Sequence, residues 1–139
     1  MSSKAILVAV LAGMAAWGAQ SSAAPYHQIA ATAQQIEATA QQIRELAGAA
    51  KPDQAGLLAL ANTQVAQTSL LIREFEVMQL DDMGVERDWV LHEKADSLAD
   101  LAALEISVLS GQPNWRWLRK SAKQQAGLAA ELSRAAGSL

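Results

Sequence analysis

No cysteine occurs anywhere in this chain. Disulfides, thiolate metal sites and a cysteine nucleophile are therefore excluded, and stability must come from packing alone. There is no Asn-x-Ser/Thr sequon, so nothing points to a glycosylated secreted protein. No uncharged apolar run approaches the roughly 20 residues of a membrane span. The run Ala5–Trp17 has 13, and the stretch Leu57–Ile72 is broken by Asn62, Thr63, Gln64, Gln67, Thr68 and Ser69. Positive charge is in deficit, with 11 basic against 14 acidic residues and a net charge of -3, which argues against a nucleic-acid partner. Neither a G-x-S-x-G elbow nor a Gly-rich phosphate loop is present.

The amino terminus is organised as an export signal. Lys4 supplies the lone charge of the n-region, Ala5–Trp17 the apolar core, and Gly18–Ala24 a small-residue stretch. Cleavage is expected after Ala23, with residues 1–23 as the signal; the alternative is an uncleaved amino-terminal anchor. Residues 24–139 then form one small helical domain. A bacterial periplasm or cell surface is the simplest home for a disulfide-free exported chain of this kind.

Beyond the signal the chain is periodic. Residues 29–42 write one seven-residue phrase twice, I-A-A-T-A-Q-Q and I-E-A-T-A-Q-Q. The resulting stripe, Ile29, Ala33, Ile36, Ala40, Ile43 and Ala47, has the spacing of a coiled-coil seam. Its outward face carries Gln34, Gln35, Gln41 and Gln42, polar but nearly uncharged, and suited to packing against other polar helices. The first helix is expected over 27–47, ended by Gly48 and the Lys51-Pro52-Asp53 turn. A second, capped by Asp53, should present Leu58, Ala61, Val65, Thr68, Ile72 and Phe75. A third, from about Asp88 to Leu109, should present Leu91, Ala95, Leu98, Ala102, Ile106 and Leu109. The turn Ser110–Asn114 introduces a fourth, Trp115 to Ala136, with Leu118, Ala122, Leu128, Leu132 and Ala135 available for packing. The expectation is an all-α fold: an antiparallel bundle of about four helices, built from a coiled-coil-like hairpin over 27–80 and a second hairpin over 88–136.

Charge is uneven. Residues 81–105 carry eight acids and two bases, whereas residues 113–139 carry five bases and one acid. The third and fourth helices should therefore pair with each other, Glu105 near Arg116 or Arg119 and Asp100 near Lys123. The pair His92 and Asp96 could touch a metal, but a third ligand is lacking, and the acidic stretch from Asp81 lacks the ligand spacing of a calcium loop. No cofactor is expected, and no enzymatic activity. The most pointed exposed feature is Trp115-Arg116-Trp117-Leu118-Arg119-Lys120, with Lys123 a turn later. Trp and Arg dominate binding hot spots and also suit a membrane interface. The competing reading of the two tryptophans is that they cap the end of the core. Trp89 is expected inside.

The signal, the Gln-rich first helix I-A-A-T-A-Q-Q-I-E-A-T-A-Q-Q-I-R-E-L and the segment G-L-L-A-L-A-N-T-Q-V-A-Q-T-S-L-L-I-R-E-F-E-V-M-Q (56–79) together resemble the minor pilus subunits of bacterial type IV secretion and conjugative transfer systems. The resemblance covers roughly residues 26–80. The acidic-then-basic second hairpin departs from that pattern. The resemblance implies an exported structural or adhesive subunit whose partners are other protein subunits of the apparatus. A free periplasmic binding module or chaperone, and a peripheral membrane binder, are the alternatives, and oligomerisation is compatible with each.

Overall fold

The computed structural model describes residues 24–81 and 86–138. Residues 1–23, the expected signal, and the acidic residue Asp82 lie outside them. Four helices are present among the described residues: α1 (Ala24–Ala47), α2 (Gln54–Asp81), α3 (Glu86–Leu109) and α4 (Trp115–Gly137). The bundle is all-α and antiparallel. α1 starts three residues earlier than its periodicity indicated and α3 two. The two expected caps are present. The Asp53 carboxylate accepts from the Gly56 N–H at 3.1 Å, and the Asn114 side chain accepts from the Trp117 N–H at 3.0 Å.

Each helix packs on its chain neighbour, and α1 packs most extensively on α4, which closes a ring of four. The two hairpins therefore form one bundle. Four seams meet at its axis, each with the spacing 4, 3, 4, 3, 4: Ile29 to Ala47 on α1, Leu57-Ala61-Gln64-Thr68-Leu71-Phe75 on α2, Leu91-Ala95-Leu98-Ala102-Glu105-Leu109 on α3, and Leu118-Ala122-Gln125-Ala129-Leu132-Ala136 on α4. Every one of these residues is buried. Antiparallel order stacks them in six layers, beginning with Ile29, Phe75, Leu91 and Ala136 and ending with Ala47, Leu57, Leu109 and Leu118. Large and small residues alternate along α1, which is how facing helices interdigitate.

The α1 stripe is the one expected from the repeat. Thr32 and Thr39 are buried on its flank, and the Thr39 hydroxyl donates to its own helix at the Gln35 carbonyl. On the other helices most of the expected positions are buried: Ala61, Thr68 and Phe75 on α2, Leu91, Ala95, Leu98, Ala102 and Leu109 on α3, and Leu118, Ala122 and Leu132 on α4. Leu58, Val65 and Ile72 on α2, Ile106 on α3, and Leu128 and Ala135 on α4 are only half-buried. The strict seven-residue register carries Gln64, Glu105 and Gln125 inward in their place. Trp89, expected inside, is 62 % exposed, because the α3 seam begins two residues later at Leu91. By length and mean hydropathy (1.2) Gln54–Val77 also qualifies as a candidate span, although polar residues interrupt it; here α2 buries Gln64, Gln67 and Thr68 against its neighbours.

Core truncation should be costly. Ile36→Ala removes a fully buried side chain from the third layer and is expected to destabilise the fold by about 2–5 kcal/mol, measured by urea unfolding.

Candidate functional site

Two regions carry chemistry: a polar layer inside the bundle and a surface shared by α1 and α4. The fourth core layer consists of Ala40, Gln64, Ala102 and Gln125. It separates two apolar clusters, one reaching from Ile29 to Ile36 on α1 and the other containing Ile43 and Ala47. The two alanines leave room for the two amides. Oriented with its nitrogen toward acceptors, the Gln125 amide donates to Gln64 Oε1 at 3.0 Å and to Glu105 Oε1 at 2.6 Å, and its oxygen faces the Ala102 N–H at 3.3 Å. The Ser121 hydroxyl also donates to Glu105 Oε1, at 2.9 Å. Three helices are thus joined through one buried network.

Glu105 is fully buried and has no cationic partner among the described residues. The expected approach to Arg116 or Arg119 does not occur, nor is Asp100 paired with Lys123. Lys94 instead pairs with Glu131 at 3.1 Å, and His92 Nε2 lies 3.7 Å from the Asp96 carboxylate. The reason is register: the seam turns Glu105 to the axis, while Arg116, Arg119, Lys120 and Lys123 point outward and are exposed. Burial pushes the Glu105 carboxyl up to about 7, with the Ser121 hydrogen bond opposing the shift. Glu74 on α2 is likewise pushed up to about 7 by burial, opposed by Thr32 and Gln28 of α1. Neither Glu74 oxygen has a well-formed hydrogen bond, so burial dominates.

On the surface, Gln34, Gln41 and Gln42 are exposed and Gln35 is half-buried. A shallow open depression where α1 ends beside the start of α4 is lined by Ala38, Gln41, Gln42, Arg44, Glu45, Gly48 and Arg119. It unites Gln41, Gln42 and Arg119 from the expected contact set. Gln34 and Gln35 lie farther along α1, and Arg116, Lys120 and Lys123 lie outside the depression. Trp115 and Trp117 are both half-buried against the cluster that contains Leu118. Both pack on that end of the core, so they are not a free aromatic patch. His92 stacks on Phe75, ring centroids 5.6 Å apart. No group of three His, Asp or Glu side chains able to hold a metal converges among the described residues.

Sequence reasoning missed the buried network. Its signal was available: continuing the 4, 3 spacing through Ala61, Ala102 and Ala122 lands on Gln64, Glu105 and Gln125. Comparison with protein-family models, with curated proteins and with solved structures returns no match.

The buried carboxyl makes stability depend on pH. Its folded pKa lies above the unfolded value, so the native state keeps a proton that the unfolded chain releases. Stability is then greatest below about 4.5 and falls as pH rises toward 7, by up to roughly 3 kcal/mol for Glu105 alone. Urea midpoints measured from pH 5 to 8 should fall across this window. Glu105→Gln, which keeps the hydrogen-bonding shape without the charge, should make the profile shallower, leaving the share that Glu74 contributes, and stabilise the protein at the alkaline end. A midpoint that rises with pH in the wild type would contradict the assignment.

Proposed function

We propose that this chain is an exported, non-enzymatic helical subunit of a conjugation or type IV secretion apparatus, at the periplasm or cell surface, acting through contacts made by its outer helix faces. The observation that carries the reading is the amide face of α1. Gln34, Gln41 and Gln42 stay exposed although the seam on the other side of the same helix is fully buried. A face that is polar yet nearly uncharged can lie against another protein at a low desolvation cost compared with a charged one. The resemblance of residues 26–80 to minor pilus subunits supports the same reading. All four seams are consumed within the chain, so partner contacts fall to the exterior: the α1 amides and the depression they share with Arg44 and Arg119.

The self-contained core also favours a second reading, a free periplasmic binding module or chaperone. A peripheral membrane role for Trp115 and Trp117 draws less support, since both rings are partly occupied by the core. The two main readings separate on transfer frequency and fractionation. Deleting the gene from a donor strain should lower conjugative transfer, and restoring it should recover transfer. Gln41→Glu with Gln42→Glu should lower transfer at least about tenfold, the equivalent of ~1.4 kcal/mol at an interface, with no change in the melting temperature of the purified protein. Unchanged transfer on deletion, with the protein in the soluble periplasmic fraction, would favour the free module.

A further inference from the structure

Gly127 lies in the interior of α4, where glycine weakens a helix relative to alanine. Nothing in the described chain requires it there. A Cβ at this position would meet no atom within 4 Å, and the residue is exposed. The absence of a side chain at position 127 leaves a bare patch of backbone on the outer surface of α4. The same outer face continues toward the start of the helix through Lys123, Lys120 and Arg116, all exposed. From Gly127 backward the spacing is 4, 3, 4.

The outer face of α3 carries the complementary row. Trp89, Glu93, Asp96 and Asp100 are all exposed, and their spacing, read forward, is also 4, 3, 4. Trp89 is the most exposed of the large apolar side chains described. Inside one molecule no ion pair joins the two rows. Asp96 has His92 beside it, at 3.7 Å, and the basic row has no acidic partner among the described residues. α3 and α4 are neighbours, but their rows sit at different heights: the acidic one flanks Leu91 to Leu98, the basic one Leu118 to Gln125.

We propose that the outer face of α3 from Trp89 to Asp100 is a docking surface for the outer face of α4 from Arg116 to Gly127 in a second copy of this chain. Laid antiparallel, the rows match residue for residue: Trp89 over Gly127, Glu93 beside Lys123, Asp96 beside Lys120, Asp100 beside Arg116. The aromatic ring fills the space that the missing side chain leaves, and the opposed charges set the register. Because the two surfaces differ, the contact is heterologous. Each copy offers one of each, so association continues from copy to copy unless rotation closes a ring. Exposed ion pairs are individually weak, so the association is weak and sensitive to salt. The inference does not depend on the secretion reading; it holds equally for a free module.

Sedimentation velocity on the purified protein tests it. At low salt the wild type should sediment progressively faster than a monomer as concentration rises. It should return to monomer at about 0.5 M salt, where screening falls to a few ångströms. Reversing the basic row (R116E, K120E, K123E) or the acidic row (E93K, D96K, D100K) should leave each variant monomeric by itself. An equimolar mixture of the two should associate again, which a folding defect could not produce. Gly127→Gln retains every charge, and it should abolish association while the helix melts no lower than in the wild type. A wild type that stays monomeric at low salt overturns the proposal. So does a closed dimer that grows no further, or a mixture of the two reversed variants that stays as monomeric as its components.

Discussion

Two glutamine amides facing each other across the axis of the bundle, Gln64 of α2 and Gln125 of α4, set the constraint on which the other packing choices rest. Both are fully buried, and the layer that holds them is otherwise alanine. A bundle whose seams are written in Leu, Ile and Ala has neighbouring registers of similar apolar content, since a shift of one heptad exchanges like for like. A shift of α2 or α4 by seven residues would leave these amides against apolar side chains. A buried polar group without its partner costs about 1–3 kcal/mol, so the polar layer disfavours each such slip. The hydrogen bonds from Gln125 and Ser121 to Glu105 bring α3 into the same register. At the end of the bundle, the Gln54 side chain reaches the Leu109 carbonyl at 2.6 Å and ties the start of α2 to the end of α3.

The same layer separates what the interior does from what the surface does. Inside, a carboxyl without a counter-ion couples the stability of the fold to proton activity. Outside, α1 presents neutral amides and α4 a row of cations, and the described chain does not neutralise that row. α1 lies between these roles. Its Ile/Ala stripe fills the core, Thr32 and Thr39 pack on the flank, and the glutamines after them in each repeat lie on the outer side. One seven-residue phrase therefore encodes a core face and a surface face at once, which is the physical content of the repeat.

The fold class was legible from periodicity alone, and so were the four helices, both caps and the whole α1 stripe. α1 was readable because its apolar positions and its seven-residue register coincide. On α2, α3 and α4 they do not coincide. Val65, Ile106 and Leu128 are more apolar than Gln64, Glu105 and Gln125, and apolarity was the misleading guide. What places the polar residues inside is the presence of matching groups on other helices, and a single segment does not reveal that. The expected pairing between Glu105 and the basic start of α4 failed for the same cause: once register turns Glu105 to the axis, the exposed cations are out of its reach. Within the expected contact set, the structure joins Gln41, Gln42 and Arg119 at one depression. It sets Trp115 and Trp117 half into the core, where each had been weighed against a partner contact.

The most direct test of the polar layer is a double-mutant cycle on Gln64 and Gln125, each replaced by leucine singly and then together, with unfolding free energies taken from urea titrations at fixed pH. If the two amides satisfy each other, each single replacement leaves a buried amide without its partner. The double variant should then be less destabilised than the two single effects added together, with a coupling of about 1 kcal/mol or more. Strictly additive effects would mean that the amides do not interact and that the register rests on apolar packing alone.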